Sequence, residues 1–253
     1  MTDVGNTPKI ELSGRFNDVF NVVFEDIAAR DILDVASGMG GFLDIIETCL
    51  PDARTITGID IDLSLLREVR NSRSEDRREL AQMDAAELAF PPAIFDLVSI
   101  GVSLHHLKNI PLALDEIWRI LKPGGTFVIS EMYRDGLTEA QLSEVHLHHW
   151  VADIDTAFGR VHNHTLTQDE IIRCAAEPVW DIVTVYDYKN PQMNMDAEQI
   201  IDRIKVQIEQ HLLRAERLKD IDEIKERSEI IMDWVEEYGV KRAPLLVVKC
   251  VKR

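Results

Sequence analysis

Cysteine is scarce in this chain of 253 residues, and no long apolar segment is present. The three cysteines, Cys49, Cys174 and Cys250, form no C-x-x-C pair, which argues against a disulfide framework or a cysteine zinc site and is typical of a reducing compartment. No apolar run approaches the roughly 18 residues of a membrane span. Met1–Glu11 lacks a basic segment followed by an apolar core, so we expect no secretion signal, no membrane partner and a cytoplasmic location.

Basic residues are few relative to acidic ones. The chain has 28 Lys and Arg against 45 Asp and Glu, which gives a formal net charge of −17 at pH 7. Nucleic acids and anionic membranes bind basic surfaces, so we expect no nucleic acid partner. The hydrophobic fraction of 45% is that of a folded globular protein rather than a disordered one.

Short apolar strands alternate with amphipathic helices in the first half of the chain. The pattern predicts strands at 31–36, 54–60, 79–83, 95–100 and 126–132, with helices at 13–29, 41–50, 63–70 and 110–121. Such alternation is typical of a parallel sheet with helices on both faces. Right-handed crossovers then favour a doubly wound α/β fold.

The last third of the chain is richer in helix. We expect a helix from Thr138 to about Asp155 and a capping box, Thr167-Gln-Asp-Glu170, at the start of a shorter one. A strand is predicted at 179–188, two long charged helices at 197–218 and 221–238, and a closing strand at 245–251. The two charged helices are therefore expected as an insertion between the last two strands, covering one end of the sheet.

A glycine-rich turn, D-V-A-S-G-M-G-G, follows the first strand of the alternation. Glycines allow close approach of the backbone to a ligand, and the helix start behind them presents free N–H groups. Asp60 ends the second strand about 20 residues later, where a carboxylate can accept both hydroxyls of a ribose. Asp84 ends the third strand, where it can receive the exocyclic amine of a base.

A nicotinamide-dependent dehydrogenase is the natural competitor for such a turn. Its G-x-G-x-x-G pattern needs a third glycine, and the chain has Leu43 at that position after Gly38 and Gly40. No acid or base signature for hydride transfer stands out either. Both observations argue against a dehydrogenase.

Six motifs occur in order over Asp31–Glu131. They are D-V-x-x-G-x-G, G-I-D-I, D-A-A-E-L-x-F-P, F-D-L-V, H-H-L and L-K-P-G-G. This ordered set resembles the class I S-adenosylmethionine-dependent methyltransferases, and among them the small-molecule members of the quinone-biosynthesis type. The resemblance implies an α/β fold: a doubly wound seven-stranded, mostly parallel sheet whose last strand is antiparallel, with helices on both faces and a helical insertion near the C-terminus.

The resemblance also implies a place for S-adenosyl-L-methionine and an activity. The cofactor would lie over the glycine turn, with its ribose, adenine and methionine contacting residues at the following strand ends: Asp34, Ala36, Ser37, Gly38, Gly40, Asp60, Ile61, Asp84, Ala85, Gly101 and Ser103. We expect methyl transfer to a small-molecule acceptor by in-line displacement, for which alignment supplies much of the rate. The domain is expected to span 1–253, with a cofactor-binding core (13–135), a substrate-side helical segment (136–178) and the helical insertion (196–238).

Two positions of the glycine turn leave questions open. The family usually has glycine where this chain has Ala36, and this smallest of substitutions predicts an altered cofactor contact rather than lost binding. Asp34 either holds the turn or holds the amino group of the cofactor.

Candidate catalytic residues stand at the carboxyl ends of the strands and beyond. His105 belongs to the H-H-L motif and Glu131 ends a strand; both are candidates, with His146 and His149 on the helix that follows. A general base is needed only where the acceptor must lose a proton. If His105 is not catalytic, we expect it to shape the binding pocket. For His106 the alternative to catalysis is a structural role, packed on the following helix.

Five of the eight histidines lie between His146 and His164. His146, His149 and Asp153 have the spacing of one helix face, and His162 follows in a loop. Imidazoles and a carboxylate at these positions make a divalent metal site one interpretation. The alternatives are a polar substrate pocket without metal, or histidines that only cap and brace the loop.

The helical insertion carries an apolar stripe, Ile200, Ile201, Ile204, Ile208, Leu212 and Leu213. Three interpretations of this stripe stay open: it packs on the domain, it forms a homodimer contact, or it serves as a lid over the binding pocket. Two alternatives to the small-molecule enzyme also stay open: a protein or peptide methyltransferase, and a regulatory module that binds S-adenosylmethionine without catalysis.

Overall fold

The structure, a computed structural model, describes residues 7–72, 78–176, 180–189 and 197–253. Its strands are β1 (Lys9–Ser13), β2 (Asp31–Val35), β3 (Thr55–Asp60), β4 (Glu79–Gln82), β5 (Phe95–Gly101), β6 (Leu121–Met132), β7 (Trp180–Lys189) and β8 (Leu245–Lys252). Its helices are α1 (Phe16–Phe24), α2 (Gly41–Cys49), α3 (Leu63–Ser72), α4 (Ile110–Ile120), α5 (Glu139–Ala157), α6 (Gln168–Ala176), α7 (Ala197–Ala215) and α8 (Ile221–Tyr238).

The strands form one sheet in the order β1-β7-β8-β6-β5-β2-β3-β4. All neighbouring pairs are parallel except those of β8, which is antiparallel to both β6 and β7. The expected mostly parallel α/β sheet with an antiparallel last strand is confirmed. Strand order reverses between β2 and β5, which is the point where ligands bind in open α/β sheets.

The expected count of seven strands is wrong for the described residues, which form eight. The additional strand, β1, pairs with β7 at one edge of the sheet. It is short and mostly exposed, with Lys9 and Glu11 alternating with Ile10 and Leu12. A strand of this kind buries little apolar surface, so its sequence lacks the continuous apolar run that marks the central strands.

The amino ends of the central strands are held together by charge. The Asp96 carboxylate accepts hydrogen bonds from the backbone N–H groups of Arg30 (3.0 Å) and Asp31 (2.9 Å), just where β2 begins. Lys122 Nζ donates to the same carboxylate over 2.6 Å. The aspartate of the F-D-L-V motif therefore fixes the positions of β2, β5 and β6 relative to one another, away from the candidate site.

The helices α7 and α8 stand between β7 and β8 in the chain, as expected for the insertion. They pack against α5 rather than directly over the sheet, around an apolar cluster that includes Trp150, Ile204, Ile208 and Val235. Most of the predicted apolar stripe is used in this packing, whereas Leu213 at its end is 70% exposed. Packing on the domain therefore accounts for the stripe, and the homodimer stays a prediction.

Several expected boundaries fall outside the described residues. These include residues 178 and 196, at which the helical segments were expected to end and begin, together with residue 179 and the first six residues. The first helix is shorter than predicted, and ends at Phe24. The capping box is confirmed by the bonds from Thr167 N to Glu170 (2.7 Å) and from Glu170 N to Thr167 (3.2 Å). No described helix has the length and apolarity needed to cross a membrane.

Replacing Ile208 by Ala should destabilise the protein by about 2–5 kcal/mol, because the change leaves a cavity between α5, α7 and α8. The control is Leu213→Ala on the same helix, which removes an exposed side chain and should change the unfolding free energy by less than about 0.5 kcal/mol. Urea denaturation measures both. Equal effects would contradict the assignment of α7 to this small core.

Candidate cofactor site and histidine cluster

The glycine turn after β2 is fixed by the carboxylate at the end of β3. Asp60 Oδ2 accepts a hydrogen bond from Gly38 N (2.8 Å), and its Oδ1 accepts one from Asp62 N (2.8 Å). Gly40 has a left-handed backbone (φ +77°) and stands directly before α2, so the turn ends at the positive end of that helix. Asp60 is nearly buried, and each of its oxygens retains a lone pair for a ribose hydroxyl.

Two non-glycine residues beside the turn adopt left-handed backbone conformations. Ala36 has φ +54° and Val102, in the loop after β5, has φ +51°. The hydroxyl of Ser103 lies 3.0 Å from the carbonyl oxygens of both Ala36 and Gly101, and so ties the two loops together. The backbone at Ala36 explains why glycine is usual there: the conformation costs a residue with a Cβ roughly 1–2 kcal/mol.

Asp34 is wholly buried at the carboxyl end of β2. Its Oδ1 accepts a hydrogen bond from Ser99 Oγ (2.6 Å), whereas Oδ2 has no partner among the described residues. Burial is the largest cause that raises the pKa of Asp34 to about 7; the Ser99 bond opposes this effect and the nearby charge of Asp60 adds to it. The hydroxyl of Ser37 is also buried and also has no hydrogen-bond partner among the described residues.

The residues expected near adenine lie at the ends of β3 and β4. Ile61 is 66% exposed, Asp84 is exposed, and Ala85 is buried. The Asp84 carboxylate accepts a hydrogen bond from Ala86 N (2.9 Å), which orders the turn that carries it. An exposed apolar side chain beside an exposed carboxylate suits a heterocycle with an exocyclic amine.

Gly101 is required by packing. A Cβ atom at this position would lie 2.4 Å from Cγ of Phe42, in the first turn of α2. The glycine therefore lets β5 and α2 approach each other, which sets the width of the crevice between the β2 and β5 loops.

Glu131 is completely buried at the end of β6 and braces the H-H-L loop. Its Oε2 accepts a hydrogen bond from Leu104 N (2.7 Å), and its Oε1 accepts from Met132 N (2.8 Å). His105 Nδ1 lies 3.0 Å from the same Oε1, so this nitrogen carries the proton and donates it. Glu131 and His105 were both predicted as catalytic residues. The structure places them in a buried, hydrogen-bonded pair that fixes the position of the H-H-L loop.

His146 and His149 on α5 have separate surroundings. The ring of His146 packs edge-on against Trp234 of α8, at 5.0 Å between ring centroids. His149 Nε2 accepts a hydrogen bond from Thr165 N (3.1 Å), and its ring stacks on His164 at 4.1 Å. Burial, the largest cause, lowers the pKa of His149 to about 4.

Asp153 and His162 complete the set of predicted metal ligands, and they too have separate partners. Asp153 accepts bonds from His164 Nε2 (2.8 Å) and Arg227 (2.7 Å), whereas His162 Nδ1 lies 2.8 Å from Asp155 Oδ2. Within the described chain, His162 is the one predicted ligand that belongs to a group placed to share one ion, and its companions there are His105 and His106. Three of the predicted ligands share one face of α5, whereas the α5 histidine that contacts His162 is His148.

A different set of histidines converges beside the Glu131 pair. We call His105, His106, His148 and His162 the imidazole cluster; adjacent ring centroids in it are 4.2–4.9 Å apart. Burial, the largest cause, lowers the pKa of His148 to about 3, and neighbouring imidazoles lower it further. Sequence reasoning missed His148 because it stands outside the row of His146, His149 and Asp153 on α5.

Comparison with known proteins shows which proteins this chain is similar to. Residues 33–129 match the model of the methyltransferase domain family. The chain is 33% identical over 118 residues to a demethylmenaquinone methyltransferase of Porphyromonas gingivalis, covering 44% of this chain and 47% of that one. Residues 33–129 therefore resemble a methyltransferase domain. The resemblance to the class I S-adenosylmethionine-dependent methyltransferases is confirmed.

Solved structures extend the likeness in fold to almost the whole chain. The YcgJ protein of Bacillus subtilis superimposes with a TM-score of 0.60 at 14% identity, covering 94% of this chain and 97% of that one. Phosphoethanolamine N-methyltransferase 2 of Haemonchus contortus, in complex with S-adenosyl-L-methionine, gives 0.55 at 19% identity, with coverage of 94% and 53%. These identities show the fold alone.

The matched methyltransferase segment does not include the imidazole cluster as a whole. The chain spans less than half the length of the curated relatives that it matches. His148 and His162 lie beyond residue 129, where the family model ends. The family match therefore includes His105 and His106 but neither His148 nor His162.

Replacing Asp34 by Asn should remove a pH dependence of stability. The raised pKa of Asp34 means that the folded protein keeps a proton which the unfolded chain loses. This contribution to stability is complete below about pH 4, falls as the pH rises toward about 7, and is then constant.

Between about pH 5 and 7 the wild type should lose about 1.4 kcal/mol of unfolding free energy per pH unit through Asp34. An asparagine side chain cannot ionise, so the D34N variant should lack this loss. Urea denaturation at several pH values measures this slope. Asp52→Asn, at an exposed position just before β3, is the control and should follow the wild-type profile. Parallel profiles for wild type and D34N would contradict the buried acid.

Replacing Gly101 by Ala should cost about 1–3 kcal/mol of stability, because the new methyl group meets the Phe42 ring. The matched control is Gly41→Ala, where a Cβ meets nothing within 4 Å and alanine favours the helix. Thermal unfolding compares them. A neutral G101A variant would show that the glycine is not needed for packing.

Proposed function

We propose that the chain transfers a methyl group from S-adenosylmethionine to a small-molecule acceptor. The observation that carries this proposal is the gathering of the expected cofactor residues along the carboxyl ends of four neighbouring strands, β5, β2, β3 and β4, at the reversal of strand order. The methyltransferase domain matched over residues 33–129 contains the same strand ends.

The chemistry of these residues fits S-adenosylmethionine. Asp34 Oδ2 and Ser37 Oγ are buried polar atoms without a partner in the described chain, and such atoms call for a polar ligand. Asp60 supplies lone pairs for ribose hydroxyls, and Ile61 with Asp84 supplies an apolar and an acidic contact for adenine. Bound there, the cofactor would supply a sulfonium methyl group that is already activated for displacement.

The chain's own task is then to bind and align. The carboxylates of Asp60 and Asp84 favour a ligand with cationic groups over an anionic dinucleotide. Ser103 holds the β2 and β5 loops at a set spacing, and Glu131 holds the segment behind it. Alignment of this kind is worth several of the roughly 7–11 kcal/mol that orientation can contribute.

Helices α5 to α8 and the loop around His162 supply the acceptor side. His106 reaches the surface and His148 is partly buried, so these imidazoles present polar surface to the acceptor. His105 and Glu131 act as positioning residues, because both are buried and bonded to each other. The names of the matched relatives favour an acceptor related to the quinones, and the acidic net charge disfavours polyanionic ones.

The decisive experiment incubates the protein with methyl-labelled S-adenosylmethionine and either a demethylmenaquinone or a cell metabolite extract. We expect a labelled small molecule that depends on the protein. Labelled protein instead of a small molecule would indicate a peptide acceptor. Cofactor binding with no labelled product from any source would indicate a regulatory module and overturn the proposed transfer.

Replacing Asp60 by Asn should weaken the binding of S-adenosylhomocysteine at least 10-fold, on the order of what the loss of a charged hydrogen bond costs, because both the ribose contact and the support of Gly38 are changed. Asp52→Asn removes the same charge just before the amino end of β3 and should bind as the wild type does. Calorimetric titration measures both. Equal affinities for D60N and the wild type would contradict the assigned cofactor site.

A further inference from the structure

We propose that His105, His106, His148 and His162 form a binding site for a divalent transition-metal ion such as Zn²⁺ or Co²⁺. The site is built from three parts of the chain: the H-H-L loop after β5, the helix α5 and the loop that follows it. It differs from the ligand set expected from helix spacing, with which it shares only His162.

Two of the rings are held from behind by carboxylates, that of Glu131 buried and that of Asp155 partly buried. His105 Nδ1 lies 3.0 Å from Glu131 Oε1, and His162 Nδ1 lies 2.8 Å from Asp155 Oδ2. A carboxylate oxygen accepts, so in each ring Nδ1 carries the proton and Nε2 presents a lone pair. Metal-binding histidines are oriented in this way in proteins, by a carboxylate on the nitrogen that does not bind the ion.

His106 follows the same rule with a backbone acceptor. Its Nδ1 lies 3.4 Å from the carbonyl oxygen of Val161, which can only accept. Its Nε2 therefore also presents a lone pair. Ligand atoms of His105, His106 and His162 all lie within 4.8 Å of one another.

His148 adds a fourth nitrogen from α5. Its Nε2 is 3.2 Å from Nε2 of His162. Two nitrogens bound to one tetrahedral zinc at about 2.0–2.1 Å would stand about 3.3 Å apart. The observed separation is thus already that of two ligands of one ion.

The second ring nitrogen of His105, Nε2, gives an independent sign of a ligand. His105 is 1% exposed, and its Nε2 has no hydrogen-bond partner among the described residues. A buried acceptor without a donor costs about 1–3 kcal/mol. Coordination of a cation by its lone pair removes that cost.

The helical insertion supports the same arrangement. Arg214 of α7 donates to Asp155 Oδ1 over 2.6 Å, while Asp155 Oδ2 holds His162. The carboxylate is thereby fixed from two sides. Neutral imidazoles are ligands for Zn²⁺, Co²⁺ and Ni²⁺ rather than for Mg²⁺ or Ca²⁺, which prefer oxygen.

The test titrates Co²⁺ into the whole chain after treatment with a chelator and dialysis, and follows the visible absorption of the ion. Zn²⁺ competition gives its affinity. We expect one equivalent of Co²⁺ to bind with a Kd on the order of micromolar or tighter, with the intense spectrum of tetrahedral nitrogen coordination. No cofactor or acceptor is present, so the result is independent of the proposed methyl transfer.

Matched variants locate the site. His148→Ala and His162→Ala should each weaken Co²⁺ binding at least about 10-fold, whereas His146→Ala on the same helix and His164→Ala in the same loop should keep wild-type affinity. Asp155→Asn keeps all four imidazoles and should weaken binding about 10–100-fold by releasing the His162 ring. Circular dichroism in chelator confirms that each variant is folded.

His106→Ala changes a residue that reaches the surface, and it carries the test should a buried variant fail to fold. Absence of binding to the wild-type protein would overturn the proposal. So would equal losses in H146A and H148A, or wild-type affinity in H106A and H148A.

Discussion

The buried carboxylate of Glu131 is the contact on which both halves of the site depend. Its side chain is fully buried and accepts from Leu104 N, Met132 N and His105 Nδ1. Three donors compensate for the loss of water around a carboxylate, which would otherwise be very unfavourable in the interior. Since Leu104 and His105 follow β5 and Glu131 ends β6, these bonds fix the loop that separates the cofactor crevice from the imidazole cluster.

Beyond this loop, hydrogen bonds and salt bridges connect the H-H-L loop to the loop after α5 and then to the helical insertion. Asn163 donates to the carbonyl oxygen of His105 from both its backbone and its side chain, at 3.0 and 2.9 Å, so the loop after α5 is attached to the H-H-L loop. Asp155 and Asp153 on α5 then hold histidines of that loop, and are themselves held by Arg214 and Arg227 from the insertion. The charged faces of α7 and α8 thus stabilise the site from behind. A salt bridge of this kind orders side chains more than it stabilises the fold.

The core of the fold and the cofactor edge were predictable from the sequence because their signals are local. A buried strand, a glycine turn and a carboxylate at the next strand end are read within short windows, and parallel strands bring their ends to one edge automatically. The members of the imidazole cluster were not predictable in the same way. The packing of the whole helix against Trp234, Ile204 and their neighbours determines which face of α5 meets the H-H-L loop. Residue spacing alone therefore indicated His146 and His149, whereas His148 lies in the cluster. The edge strand β1 was missed for a related reason, since its residues pair with β7 near the other end of the chain.

The backbone is strained in the loops after β2 and β5, where the strand order reverses. Ala36 and Val102 both adopt left-handed backbones that cost non-glycine residues about 1–3 kcal/mol each, and a β-branched residue such as Val102 rarely adopts one. Both are restrained by their surroundings: Ser103 bonds the carbonyl oxygen of Ala36, and Val102 N donates to Ser130 O over 2.6 Å. A loop that could relax would lose this strain by moving. The hydrogen bonds to Ala36 and Val102 therefore hold the β2 and β5 loops in a strained conformation, and a crevice restrained in this way costs less binding free energy to order.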